Sequence, residues 1–117
     1  MNDVQITFHG LDHSDALDHL IREKIAKLAG LYDRILRVRA VIDQPHRSHT
    51  KGNGYRLKVE VLIPGDEIIV ERDFHDADGP SAAERVVRDA FAVAQRLLLE
   101  KVHRGDRHPL QVVVSST

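Results

Sequence analysis

Two stretches set cations at alternate positions: Arg37-x-Arg39 in RILRVRAVID and Arg56-x-Lys58 in YRLKVEVLI. Between them PHRSHTKGNG carries His46, Arg47, His49 and Lys51, and upstream LIREKIAKL carries Arg22, Lys24 and Lys27. Guanidinium and ammonium groups at this density are suited to phosphate, because they replace the counterions of a polyanion. From Arg22 to Lys58 there are ten Lys/Arg against three Asp/Glu, so the segment is +7, and the remainder is −8 within a total of −1. Local fields, more than net charge, draw polyanions, so the asymmetry outweighs the near-neutral total. The competing reading of each cation is a solvated surface residue or a cross-strand pair with Glu60 or Glu71.

Other chemistries fit less well. His46-x-x-His49, and His9 with His13 across a turn, invite a metal, but a metal centre needs three or four converging ligands. The chain has no cysteine, which removes thiolate metal sites, disulfides and cysteine nucleophiles. It has no G-x-S-x-G, P-loop or H-E-x-x-H pattern. Asp76 and Asp78 sit in a polar stretch where solvation accounts for them. The sequence therefore predicts no enzyme, no metal, no cofactor and no small-molecule substrate. No apolar run approaches the roughly 20 residues of a membrane span. MNDVQITFHG lacks the apolar block of a signal peptide. A cytoplasmic protein without a membrane partner is expected.

The elements that must position these cations are legible from periodicity. Val4, Ile6 and Phe8 alternate with polar residues as a first strand, and Gly10 to His13 turn the chain. Ser14 is a helix N-cap, followed by Asp15 and Asp18 near the positive end of the helix. Leu17, Leu20, Ile21, Ile25 and Leu28 recur at helical spacing, and Gly30 is expected to stop the helix as its C′ residue. A second strand spans Ile35 to Asp43, with Leu36, Val38, Ala40 and Ile42 on one side and Arg37, Arg39 and Val41 on the other. A third spans Tyr55 to Ile63, with Arg56, Lys58 and Glu60 opposite the apolar set. Pro64-Gly65-Asp66 turns it into a fourth strand, about Glu67 to Asp73. Phe74 to Pro80 reads as a loop, and Ser81 with Glu84 as a capping box. The last helix carries an apolar stripe from Ala83 to Val102 and is expected to end near His103 or Arg104, stopped by Gly105.

The 117 residues fit one domain, 1–105, with a tail, 106–117. The predicted class is α+β: a β-α-β-β-β-α two-layer sandwich with two helices on one face of a four-stranded sheet. That layout is related to double-stranded-RNA-binding domains, which read shape and backbone. In the tail, Leu110 to Val114 form a β-prone piece that offers an edge strand to this chain or, in a homodimer, to another.

The core PHRSHTKGNGYRLKVEVLIPGDEIIVER, the helix end KIAKLAGLYDRI and the final helix VRDAFAVAQRLLLEKV together resemble the ribosome hibernation-promoting factor / ribosome-associated inhibitor A family, short form, also called sigma-factor modulation proteins. The resemblance spans about residues 4 to 104. It implies a factor that binds small-subunit rRNA between head and body of the ribosome, over the mRNA path and tRNA sites, and inhibits translation by idle ribosomes under stress. It implies rRNA contacts at Arg22, Lys24, Lys27, Arg37, Arg39, His46, Arg47, His49, Lys51, Arg56 and Lys58, extended by Arg88, Arg96, Lys101 and Arg104 on the last helix. The chain departs from the family at the start of that helix, where members usually show an acidic residue and a Tyr and this chain has Ala82 and Glu84 near those places, and in a tail with fewer cations. A divergent paralogue acting as a protein-interaction module through the tail strand is the alternative.

Overall fold

The computed structural model describes residues 3–46, 54–75, 78–79 and 81–107, with backbone alone at 45–46 and 105–107. Its elements are β1 (Val4–His9), α1 (Asp15–Leu31), β2 (Arg37–His46), β3 (Gly54–Ile63), β4 (Asp66–His75) and α2 (Ala82–Arg107). The sheet order is β1-β2-β3-β4, with β1 and β2 parallel and the other two pairs antiparallel. A parallel pair requires a crossover, and α1 supplies it. Pro64 and Gly65 close the β3–β4 hairpin, Gly65 at φ +78°, a conformation strained for a residue with a Cβ.

Alternation makes one sheet face apolar. Val38, Ala40 and Ile42, then Leu57, Val59, Val61 and Ile63, then Ile68, Val70 and Phe74 are buried. Leu20, Ile21, Ile25 and Leu28 from α1 and Val87, Ala90, Phe91, Ala94 and Leu98 from α2 join the same core. No polar or charged residue among those described is buried. The expected α+β two-layer arrangement is the one found. Ser14 caps α1, its Oγ accepting from the Leu17 N–H at 3.2 Å.

Several boundaries differ. Gly30 does not end α1. The helix runs to Leu31, and Tyr32, in extended conformation, donates its N–H to the Leu28 carbonyl at 3.2 Å. The chain leaves the helix directly into extended backbone, so no left-handed residue is needed. Leu36 is 40% exposed, and Ile35 takes the core position at 1%. The β2 ladder begins only at Arg37, so its period of two does not extend back to Leu36. Phe74 belongs to β4, not to a loop; it continues the inward set and stacks on Tyr55 at 5.1 Å. Ser81 stands at the start of α2, but its bonds among the described residues are with Arg85 rather than with the Glu84 of a capping box: its carbonyl accepts from Arg85 N–H at 3.1 Å and its hydroxyl from the Arg85 guanidinium at 2.9 Å. Gly105 lies within α2, which continues to Arg107. One helical glycine costs only about 1 kcal/mol, a small opposition to a helix anchored by Leu98 and Val102. The expected tail strand, Leu110 to Val114, lies outside the described residues.

Candidate nucleic-acid interface

The fifteen candidate cations and histidines divide between the open sheet face, the helix layer and the loop joining β2 to β3. In that loop Arg47, His49 and Lys51 lie outside the described residues. His46 ends β2, its backbone opposite Gly54.

On the open sheet face, register decides what each cation meets. Arg39 stands opposite Glu60 and Arg56 opposite Asp73, while Lys58 stands opposite Glu71. Arg39 reaches Glu60 at 3.3 Å and Gln5 at 3.2 Å. Lys58 reaches the other oxygen of Glu60 at 3.2 Å. The Arg56 Nε donates to Asp73 at 2.9 Å. That hydrogen bond, and then the nearby charges of Asp73, Glu71 and Asp43, raise the guanidinium pKa, and the same bond lowers that of Asp73. Asp43 also meets His9 at 3.1 Å. Arg37, opposite Leu62, is the exception, with no ion pair among the described residues. Four cations thus share this face with Asp43, Glu60, Glu67, Glu71 and Asp73. The face is an interleaved lattice of charge rather than a rank of cations.

The helix layer is arranged differently. On α1, Arg22 is held by Asp18 at 2.6 Å. Asp18 also bonds His13 at 3.0 Å, and these two partners, His13 first, lower its pKa. Lys24 and Lys27, one helical turn apart, have no ion pair among the described residues. With Arg88 and Gln95 of α2 they line a groove of about 80 Å³ whose floor includes Leu28 and Phe91. Arg88 likewise has no ion pair among the described residues. Leu28 and Phe91 are core residues of their helices, so packing of the two apolar stripes holds the three cations at one seam. Farther along α2, Arg96 pairs with Glu100 at 3.4 Å and Lys101 with Asp66 at 2.8 Å. Asp66 is lowered by the Lys101 bond, by the Glu67 N–H and, more weakly, by the charges of Lys101 and Arg104.

The sequence reading missed Gln95, although it lies seven residues after Arg88 and therefore on the same helical face. It also left Tyr32 and Arg34 outside the candidate set. They line a second cleft with Lys101.

A family model described as "Sigma 54 modulation protein / S30EA ribosomal protein" matches residues 4–105. Among solved structures, the fold is similar to that of a ribosomal subunit interface protein from Coxiella burnetii, with 18% identity, TM-score 0.62, and coverage of 83% of this chain and 93% of that one. It is also similar to the N-terminal domain of Thermus thermophilus Protein Y, with 25% identity, TM-score 0.55, and coverage of 83% of this chain and 99% of that one. No curated protein matches the sequence.

Proposed function

Because the chain belongs to the sigma 54 modulation protein / S30EA ribosomal protein family, we propose that it is a ribosome-associated factor that seats on small-subunit rRNA in the mRNA–tRNA channel and keeps idle ribosomes silent. The observation that carries the contact surface is the seam between the helices. Lys24, Lys27 and Arg88 meet there without carboxylate partners among the described residues, in a groove of about 80 Å³. Phosphate contacts need cations whose charge is not already spent on a neighbour, and a groove that orients them fixes register on the RNA. The sheet-face cations Arg39, Arg56 and Lys58 must first exchange a carboxylate for a phosphate. Arg37 on the open sheet face, His46 at the end of β2, and Arg47, His49 and Lys51 of the sequence between β2 and β3 are further proposed rRNA contacts. The family is one of ribosome-associated factors, and no catalytic role is assigned to any residue. Among the described residues no helix is long and apolar enough to cross a membrane.

The test is co-sedimentation of the purified chain with small ribosomal subunits across a salt series. Binding is expected at low salt and should fall steeply as salt rises, since each phosphate contact releases counterion. Absence of the protein from the subunit pellet at low salt overturns the reading. So does binding that ignores salt, which would point to an apolar protein contact.

A further inference from the structure

Where α1 ends, the chain builds a second cleft that shares no lining residue with the seam of Lys24, Lys27 and Arg88. It has a volume of about 320 Å³ and is lined by Tyr32, Arg34, Ile63, Asp66, Lys101 and Val102 among others. That volume lies at the lower end of sites that enclose small organic ligands, about 300–1,000 Å³. Three elements fix its walls. Tyr32 is the C-cap of α1, so its backbone is tied to Leu28. The Pro64-Gly65 turn holds Ile63 against Asp66. Lys101 of α2 is clamped to Asp66 at 2.8 Å.

The lining has two characters. Tyr32, Ile63 and Val102 offer an aromatic ring and aliphatic surface; Ile63 is a core residue, and Tyr32 and Val102 pack on the core half-buried. Arg34 is exposed and has no ion pair among the described residues, and Lys101 lines the same cleft. A bare anion has no use for the ring and the aliphatic wall. An apolar ligand has no use for the cations. A nucleotide uses both, since every base has a face that stacks and every phosphate accepts from a guanidinium.

We propose that this cleft is a nucleotide subsite, with a base seated against Tyr32 and its phosphate on Arg34. The proposal deepens the ribosome reading and rests on it in one respect: the helix layer is the surface that meets RNA. Asp66 is the internal competitor. It occupies Lys101 while the site is empty, and an arriving phosphate draws Lys101 away from it. The same chemistry is offered by a free nucleotide and by an unstacked nucleotide of an RNA strand, and the experiment separates the two.

The experiment is NMR titration of the full chain with adenosine 5′-monophosphate, ribose 5-phosphate and a pentaadenylate RNA, followed at the Tyr32 ring protons and the Arg34 Nε–H. Stacking moves the Tyr32 ring signals upfield. The expected result is that shift with the RNA or with both base-bearing ligands, and not with ribose 5-phosphate. A response to the RNA alone supports the site as one for a strand nucleotide; a response to both shows that a free nucleotide suffices. Tyr32→Leu, which removes the ring but keeps an apolar side chain, should weaken binding about tenfold, whereas Tyr32→Phe should retain it. Arg34→Ala should weaken it about tenfold, and Asp66→Asn should tighten it severalfold. Tyr32 signals unmoved by both base-bearing ligands overturn the proposal, as does a ribose 5-phosphate response equal to that of the monophosphate. A Tyr32 shift without ribosome co-sedimentation sinks the ribosome reading and leaves the cleft standing. Co-sedimentation without the shift sinks the cleft alone.

Discussion

The open sheet face and the helix seam carry cations of the same kinds and differ in what stands beside them. On the sheet, Arg39, Lys58 and Arg56 each have a carboxylate within 3.3 Å. At the seam, Lys24, Lys27 and Arg88 share a groove with a glutamine and two apolar side chains among its lining. Strand register puts β3 between β2 and β4, so its cations have acids on their flanks. Helix packing brings together two stripes whose edges are basic. A count of cations along the sequence weights both regions equally. The field they present to a phosphate depends on their neighbours, and it favours the seam.

The largest expected effect follows from that contrast. Lys24→Glu, Lys27→Glu and Arg88→Glu together should abolish co-sedimentation with small subunits at about 0.1 M salt. Replacing the three with Gln should make the dependence of log affinity on log salt shallower by about 2 units. All three side chains lie outside the core, so the thermal midpoint should stay close to that of the parent, in contrast with Ile21→Ala, which removes a fully buried side chain and should cost about 2–5 kcal/mol. Unchanged ribosome binding in the triple Glu variant would move the contact surface off the seam.

Much of this fold is legible in the sequence because two periods, near 3.6 and 2, assign most apolar residues to one core without ambiguity. Val59, with polar neighbours on both sides in the chain, has one consistent place, as does Ile25 between Lys24 and Ala26. The legible part ends where a residue's role depends on a partner far away in sequence. Glu60 was recognisable as an alternative partner for the sheet cations, but only the β2–β3 register shows that it serves both Arg39 and Lys58. The spacing of Gln95 from Arg88 gives them one face of α2, but only the packing of α1 shows that this face lines the seam. The helix ends depend on the backbone that follows them: Gly30 and Gly105 are strong local stop signals, but α1 passes directly into extended Tyr32 without a left-handed residue, and a glycine inside α2 costs only about 1 kcal/mol.

If pairing is what quiets the sheet face, removing the acids should wake it. Glu60→Gln with Asp73→Asn leaves the cations in place and removes two negative charges. Affinity for heparin or nonspecific RNA should rise severalfold, read as a later elution in a salt gradient. An unchanged elution would mean that Glu71, Asp43 and Glu67 suffice to hold the field down. The converse substitutions should do less. Arg39→Gln with Arg56→Gln should change small-subunit affinity by less than about threefold, because the seam rather than the sheet face carries the main phosphate contacts. A loss as large as that of the seam variant would make the sheet an equal partner in binding.

The smallest effect separates the two regions by acid titration. Asp73 on the sheet, with Asp66 and Asp18 elsewhere, has its pKa lowered by a hydrogen-bonded cation or histidine. A carboxylate lowered on folding stabilises the native state above its unfolded value, near 3.9, and that contribution is lost as pH falls through the folded value. The thermal midpoint should therefore decline below about pH 4, gently, because all three groups are solvated. Asp73→Asn should make the decline shallower, since the ion pair with Arg56 is already absent at neutral pH. Lys27→Gln should leave the slope of the parent unchanged, because a cation without a carboxylate partner lowers no carboxylate pKa. Should Lys27→Gln flatten the acid limb as Asp73→Asn does, the seam holds an ion pair after all, and its charge is no freer than that of the sheet.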